Sequence, residues 1–350
     1  MNAIMGHWYS RALPSREPSA WWYYGRALYV SRRDYFKIYM CLFCFLGVPL
    51  VLAGWLFSSR TVLNIAFAVG AVAMIYLFYS LIGMFRMYGP PAKGYLRQLL
   101  RLARIHGPVE VADLHVGTYR HSHLLANLLP EATIHSVDCW EERGRPHELA
   151  IADVRDLETA PTHNPRIIPT ESRGHRLPFA DGSMDAVVFG FGTHEIPTGG
   201  PRETLFAEAR RVLKPGGKAT IFEHGNDFHN TIVFGPVIGH VTRRETWMET
   251  MRKHFGNVGY RRSSYAVDLF WGTKCENVGT VAAPLPAIAP WLRTLGILGV
   301  IATVGFITFW IALFLENSSL YPYLLAIAIL GLALPWIGIL SMRAIDKLVK

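Results

Sequence analysis

Two imidazole–carboxylate neighbours, His194-Glu195 and Glu223-His224, each lie at the end of a short apolar run. A histidine in such a place can take a proton from a phenol, an enol or an amine. The carboxylate beside it can orient the ring or hold a cationic head group. The plainer alternative is that His194 caps the helix after it while Glu195 is solvated. Four further histidines, His115, His121, His123 and His135, invite a metal reading. No cysteine or acidic pair completes a ligand set around them, so no metal site is expected. Cys41-Leu-Phe-Cys44 imitates a redox or zinc spacing but sits in an apolar run without His or carboxylate partners, and two buried or lipid-facing thiols account for it better.

These residues need a scaffold, and the chain offers an uncommon one. Four uncharged apolar runs, Ile38–Phe57, Val62–Phe85, Thr294–Leu315 and Leu320–Met342, bracket a middle segment in two pairs. Each is long enough at 1.5 Å per residue to cross a hydrocarbon core of about 30 Å. Arg32, Arg33 and Lys37 precede the first run; Arg86, Lys93, Arg97, Arg101 and Arg104 follow the second; Arg343, Lys347 and Lys350 follow the fourth. The turns at Ser58–Thr61 and around Glu316–Ser318 are nearly free of bases. Positive residues stay on the cytoplasmic side, so both termini and the middle domain are expected there, in a multi-pass protein of a bacterial inner membrane. Trp8, Trp21, Trp22, Tyr23 and Tyr24 suit an interfacial aromatic belt, with the nearby arginines reaching headgroups. A signal peptide fits poorly, because no isolated apolar stretch precedes the first full-length run.

A hydrophobic share of 51%, a mean hydropathy of +0.21 and a net charge of +9 agree with a membrane protein carrying a basic cytoplasmic face. Nucleic acid is not an expected partner, because the bases cluster at membrane edges rather than along one helix. The runs hold no Asp, Glu, Lys, Arg or His, which argues against transport or proton relay within them. The expected division is 1–35 interfacial, 36–87 first hairpin, 88–289 cytoplasmic domain, 290–342 second hairpin and 343–350 tail. Small residues such as Ala66, Gly70 and Gly331 leave homo-oligomerisation open.

Between Tyr88 and Ala289, strand and helix signals alternate. Tyr95–Ile105 has leucines at helical spacing and bases opposite, a pattern for a helix along the membrane surface. Strands are expected at Val109–Val116, Ala132–Val137, Asp185–Phe191 and Lys218–Glu223, helices at Ser122–Leu129 and Thr204–Leu213, and a strand hairpin over Val258–Lys274. Alternation of this kind predicts an α/β, Rossmann-like, doubly wound and mostly parallel sheet with a terminal antiparallel strand, plus four transmembrane helices.

The blocks Val111–Ser122 (VADLHVGTYRHS), Ser136-Val-Asp138, Leu177–Asp185 (LPFADGSMD) and Val212–Gly217 (VLKPGG), in this order, resemble a class I S-adenosylmethionine-dependent methyltransferase, most nearly the quinone- and lipid-modifying C- and N-methyltransferases. The resemblance covers roughly Val109–Lys274. It implies S-adenosylmethionine as cofactor. Asp113 and Gly117 would stand where the backbone approaches its methionine part, Asp138 would accept hydrogen bonds from the ribose hydroxyls, and Cys139 and Trp140 would border the adenine. A helix N-cap or a solvated turn is the alternative for Asp138. Gly190–His194 would lead to the reaction centre, with His194, Glu195, Glu223 and His224 on the acceptor side.

The chain departs from the family in one loop. His115 and Tyr119 occupy the outer two of three customary glycine positions and leave only Gly117, although glycine tolerates positive φ and close ligand approach best. Either Tyr119 or His115 packs against the cofactor in an altered loop, or the fold persists without methyl transfer. Glu171 is either a displaced adenine contact or an exposed loop charge. Asn226–Val241, which contains His229 and His240, is the expected acceptor entrance, with core packing as its rival. The resemblance therefore implies a membrane-integral methyltransferase acting on a lipophilic acceptor: a prenylated quinone or phenol, a phospholipid or aminolipid head group, or another isoprenoid lipid. The alternatives are a non-catalytic membrane sensor or scaffold, or a transferase that moves a different group from the same cofactor.

Overall fold

A computed structural model of the chain describes residues 18–140, 148–158, 161, 163–172 and 176–276. The expected third and fourth apolar spans, Thr294–Leu315 and Leu320–Met342, lie outside the described residues.

Helix α1 (Ala20–Leu42) opens where the Ser19 hydroxyl accepts from the Trp22 amide. It continues through a single π turn, Phe43–Gly47, into α2 (Val48–Leu56). Pro49 explains the turn: it lacks an N–H and its ring crowds the carbonyl one turn back, so the ladder widens rather than breaks. Helix α3 (Arg60–Tyr88) follows. Ala20–Leu56, with 37 residues, and Arg60–Tyr88, with 29, are long and apolar enough to cross a membrane. Their apolar stretches are not core helices, since Phe45 and Phe67 are each 81% exposed and Trp55 73%. Helix α1 runs without a break across the boundary expected at 35/36.

A 3-10 turn at Pro90–Ala92 leads into α4 (Lys93–Ala103). This is the helix expected on the membrane surface, and the structure corrects that. Leu96, Leu99 and Leu100 are buried with Leu125, Ile134, Phe222 and Leu269, so the apolar face of α4 covers the sheet. Amphipathicity specifies a covered face without naming the cover.

Seven strands form one sheet in the order β3-β2-β1-β4-β5-β7-β6. They are β1 (Glu110–His115), β2 (Thr133–Asp138), β3 (Ile167–Glu171), β4 (Met184–Phe189), β5 (Leu213–His224), β6 (Gly256–Arg262) and β7 (Val267–Thr273). The first five pair in parallel, and β7 runs against both of its neighbours. The antiparallel last strand is as expected, though it lies inside the sheet with β6 at the edge. The remaining helices are α5 (Arg120–Leu128), α6 (Glu148–Leu157), α7 (Gly200–Val212), α8 (Phe228–Phe234) and α9 (Arg244–His254). Phe206 of α7 stacks on Phe189 at 4.3 Å and, with Trp247 and Met251 of α9, fills the face opposite α4. From β1 the chain winds outward through β2 and β3, then returns to β4 and β5 on the other side. This is a switch point, and it leaves a crevice beyond the carboxyl ends of β1 and β4.

Candidate active site

One cluster gathers at the ends of β1 and β2. Asp113 lies within β1, fully buried, and accepts a 2.6 Å bond from the Ser122 hydroxyl of α5. Burial pushes its carboxyl up to about 7 although that hydrogen bond pulls downward. Its position suits pinning α5 to β1 rather than touching a ligand. His115 closes the strand. Its Nδ1 accepts from the Gly117 amide at 3.1 Å, which leaves Nε2–H to donate to Ser136 Oγ at 3.0 Å. Burial holds the ring neutral, with its pKa lowered to about 4 against the opposing pull of Asp138. His115 thus fills the outer glycine position by capping the loop internally, and Tyr119 packs edge-on against it at 5.1 Å.

Gly117 has φ +113, and a methyl group there would run into the Arg155 side chain, so glycine is required twice over. Arg155, on α6, donates to Asp138 Oδ2 at 2.6 Å, while the Trp140 amide donates to Oδ1 at 3.0 Å. Asp138 therefore combines a turn-capping role with an ion pair. Each carboxylate oxygen keeps lone-pair capacity, and the side chain is 23% exposed. Glu171 stands in register beside Asp138 at the end of β3, exposed, in a strand rather than a loop. Two adjacent carboxylates and a glycine-lined turn fit a nucleoside with vicinal hydroxyls, with Arg155 as the group that must yield. Cys139 packs partly buried against the core, its amide on the His115 carbonyl at 2.8 Å.

The loop is braced from an unexpected direction. Glu158 accepts from the Thr118 hydroxyl at 2.9 Å and the Tyr119 amide at 2.6 Å, and it pairs with the Arg26 guanidinium of α1. Arg26 also reaches Thr118 Oγ1 at 3.3 Å, and Arg32 and Arg33 pair with Asp153 of α6. The arginines expected at lipid headgroups thus hold the domain's own acids. Tyr23 is buried and Tyr24 donates to the Leu81 carbonyl, while Trp21 stays exposed, so the aromatic belt is only partly realised. Nothing in the local sequence marks Arg26 or Glu158. Their meeting is purely tertiary.

A second cluster lies across the crevice. Gly190 follows β4, and a side chain there would overlap the His121 imidazole, so this glycine makes room for a histidine. The next turn, Thr193–Glu195, is clamped by Arg202, which donates to the His194 and Ile196 carbonyls at 3.0 and 2.7 Å. Glu223, fully buried on β5, accepts from the His194 amide at 3.1 Å and from its Nδ1 at 2.9 Å. The other ring nitrogen, Nε2, faces Glu195 Oε1 at 3.4 Å, and His240 Nε2 lies 3.1 Å from that same oxygen. Burial would lower the His194 pKa, but Glu223 and Glu195 outweigh it and lift it to about 10. His194 is therefore held as an imidazolium rather than as the open base its type suggests. Burial would raise Glu195, yet His194 and His240 hold it well below the usual carboxylate range.

His224 completes the floor. It stacks on Phe191 at 4.2 Å, and its Nε2 lies 2.8 Å from the hydroxyl of Tyr88, the last residue of α3. Burial pushes it well below its ordinary value, so the ring is neutral. The segment Asn226–Val241 packs against the apolar helices. Tyr35 donates to the Val233 carbonyl at 2.8 Å, Ser80 to that of Ile232 at 3.1 Å, and Tyr79 meets His229.

Residues 113–221 match a family model described as a methyltransferase domain. The chain is similar to the demethylmenaquinone methyltransferase of Listeria welshimeri, 28% identical over 123 residues, which is 35% of this chain and 48% of that protein. It is also similar to the demethylmenaquinone methyltransferase of Thermus thermophilus, 29% identical over 149 residues, 41% of this chain and 60% of the relative. The chain thus spans about half the length of these relatives. Among solved structures it is similar to a SAM-dependent methyltransferase from Aquifex aeolicus (15% identity, TM-score 0.38, 53% of this chain and 98% of that one). It is similar too to phosphoethanolamine N-methyltransferase 2 from Haemonchus contortus in complex with S-adenosyl-L-methionine (17% identity, TM-score 0.38, 54% of this chain and 53% of that one). Arg26, Tyr88 and His240 all lie outside the matched residues 113–221.

Proposed function

We propose that this chain, whose middle segment is a class I S-adenosylmethionine-dependent methyltransferase domain, is a membrane-integral enzyme that methylates a lipophilic acceptor, foremost a prenylated quinol. The carrying observation is that each apolar helix ends in one half of the site. Arg26 of α1 braces the cofactor-side loop, and Tyr88 of α3 meets His224 on the acceptor side. An anchor joined to both halves suits an acceptor that arrives from the bilayer. Similarity to demethylmenaquinone methyltransferases favours a quinone-type acceptor over a phospholipid head group.

When bound, S-adenosylmethionine supplies a methyl group on a positively charged sulfur, which keeps the bonding electrons as the methyl moves to the acceptor. The residues of this chain do the rest by placement and exclusion of solvent. Asp138, with Glu171 beside it, would hold the ribose hydroxyls in place of Arg155, and Gly117 would let the backbone come close. The positive charge that Glu223 and Glu195 keep on His194 would stabilise the anion left when a phenol or enol acceptor gives its proton to water, and so would favour electron density at the carbon to be methylated. The Asn226–Val241 segment, seated on the apolar helices, is the entrance. The bases that flank α1 and α3 favour a cytoplasmic domain, with 36–87 as the first hairpin.

Calorimetric titration of detergent-purified protein with S-adenosylmethionine, beside Asp138→Ala, tests the cofactor half. Saturable heat that the variant loses is the expected result; no heat from folded wild type would leave a scaffold as the better reading. Incubation with methyl-labelled cofactor and separated membrane lipids then tests the acceptor. Label in the quinone fraction is expected, and label confined to phospholipid would replace the acceptor.

A further inference from the structure

The acceptor-side cluster has a second property, which none of the family's blocks carries. His194 Nε2, Glu195 Oε1 and His240 Nε2 all lie within 4.8 Å of one another. We propose that these three atoms bind a divalent first-row transition metal ion, with Glu223 as the outer-sphere residue that orients His194. The proposal rests on the acceptor-side assignment made above.

The spacing suits an ion. Two donors at about 2.1 Å from a metal and a tetrahedral angle stand about 3.4 Å apart. The separations are 3.4 Å between His194 Nε2 and Glu195 Oε1, and 3.1 Å between Glu195 Oε1 and His240 Nε2. Two imidazole nitrogens and one carboxylate oxygen form a set typical of zinc, iron or manganese, not of calcium or magnesium. The outer sphere is also built. Metal-bound histidines usually give their other N–H to a carboxylate, and His194 Nδ1 gives its proton to fully buried Glu223 at 2.9 Å. Arg202 clamps the carbonyls of the turn that bears His194 and Glu195, so the backbone under these two donors is fixed before any ion arrives. The His194 and Glu195 side chains are 8% and 7% exposed while His240 is 30%, so solvent reaches the set from the His240 side.

Among the described residues, the other histidine groups do not match this arrangement. His123 stacks on His163, and His135 pairs with Glu110 alone. An ion at His194 would take over the positive charge that the imidazolium otherwise presents. It would hold the acceptor oxygen as a Lewis acid, with no change of its own oxidation state.

The experiment uses full-length protein in detergent, stripped with chelator and titrated with Co(II), with S-adenosylmethionine calorimetry run on every sample. Wild type is expected to take up one equivalent with the visible absorption of low-coordinate Co(II). His240→Ala and Glu195→Gln are expected to weaken that binding at least tenfold with cofactor affinity intact. Glu223→Gln should weaken it about tenfold, as loss of an outer-sphere partner does. His240 sits at the surface, so its variant keeps the test valid where a buried substitution fails to fold. Wild type that binds cofactor but no cobalt, or cobalt uptake unchanged in both ligand variants, overturns the metal site and leaves the methyltransferase reading standing. Cobalt bound without any cofactor heat upholds the metal site and removes the reading on which its role depends.

Discussion

The two sides of the crevice are built on opposite electrostatic plans. On the cofactor side, Arg26 meets Glu158 and Arg155 meets Asp138, one base to one acid, with the loop amides and hydroxyls absorbed by the same groups. On the acceptor side, Glu223 and Glu195 converge on one imidazolium, with His240 at the rim. The first side is closed and balanced, and it would have to give up an internal partner to admit the proposed cofactor. The second concentrates acceptor atoms around positive charge and holds that charge ready. On the proposed assignment, a ligand would enter the first by displacement and the second by addition.

Removing the centre of the acceptor side should have the largest effect. Glu223→Ala leaves buried His194 without its main partner, a loss of about 3–5 kcal/mol for a broken buried pair. Denaturant unfolding should show it, together with near-complete loss of methyl transfer; a loss below about 1 kcal/mol would mean the cluster is not held as described. Next is the pH response of the cofactor side. His115 titrates near 6.5 in the unfolded chain and about 4 when folded. Its contribution is present above pH 6.5 and lost as pH falls through 4, a span worth about 3 kcal/mol. Stability curves for His115→Gln should run flatter than wild type over that window, and parallel curves would place the ring elsewhere.

Arg26→Ala leaves Glu158 buried and unpaired, so S-adenosylmethionine binding should weaken by roughly tenfold, about 1.4 kcal/mol. Adding Glu158→Gln should recover part of the loss; a double variant as weak as the sum of the singles would show that the two do not act together. The smallest effect has the opposite sign. Arg155→Ala frees Asp138 from a partly exposed pair worth about 0.2–1 kcal/mol, so cofactor affinity should rise a few-fold by calorimetry. Weaker binding would make Arg155 a cofactor contact rather than a competitor.

Much of the sheet is legible in the chain because parallel strands buried on both faces read as plain apolar runs. The runs Val111–Leu114, Ile134–Val137 and Ala186–Phe189 each mark a strand to within a residue or two. The apolar runs of α1 to α3 are equally plain. What fails is any inference that needs to know what lies opposite. Leucines of α4 point to a covered face but not to a sheet as its cover. Arg32 and Arg33 read as headgroup contacts because Asp153 lies on a distant helix. Asp138 reads as a strand-end carboxylate, while its partner Arg155 carries no local mark. His194 and Glu195 were found by residue type, yet the imidazolium state depends on Glu223 coming from another strand. Spacing tells which groups are near in the chain; the topology tells which share a proton.

The contact between Arg26 and Thr118 spans 92 residues. During synthesis the first apolar helix therefore leaves the ribosome long before the loop and the acid that its arginine will hold. Partnership must wait until Glu158 has emerged, so the domain is assembled onto a helix that came first. A truncated chain starting at the matched residues would be left with Glu158 beneath an empty place, and the failure of such a fragment to fold would say nothing against the chemistry of the intact protein.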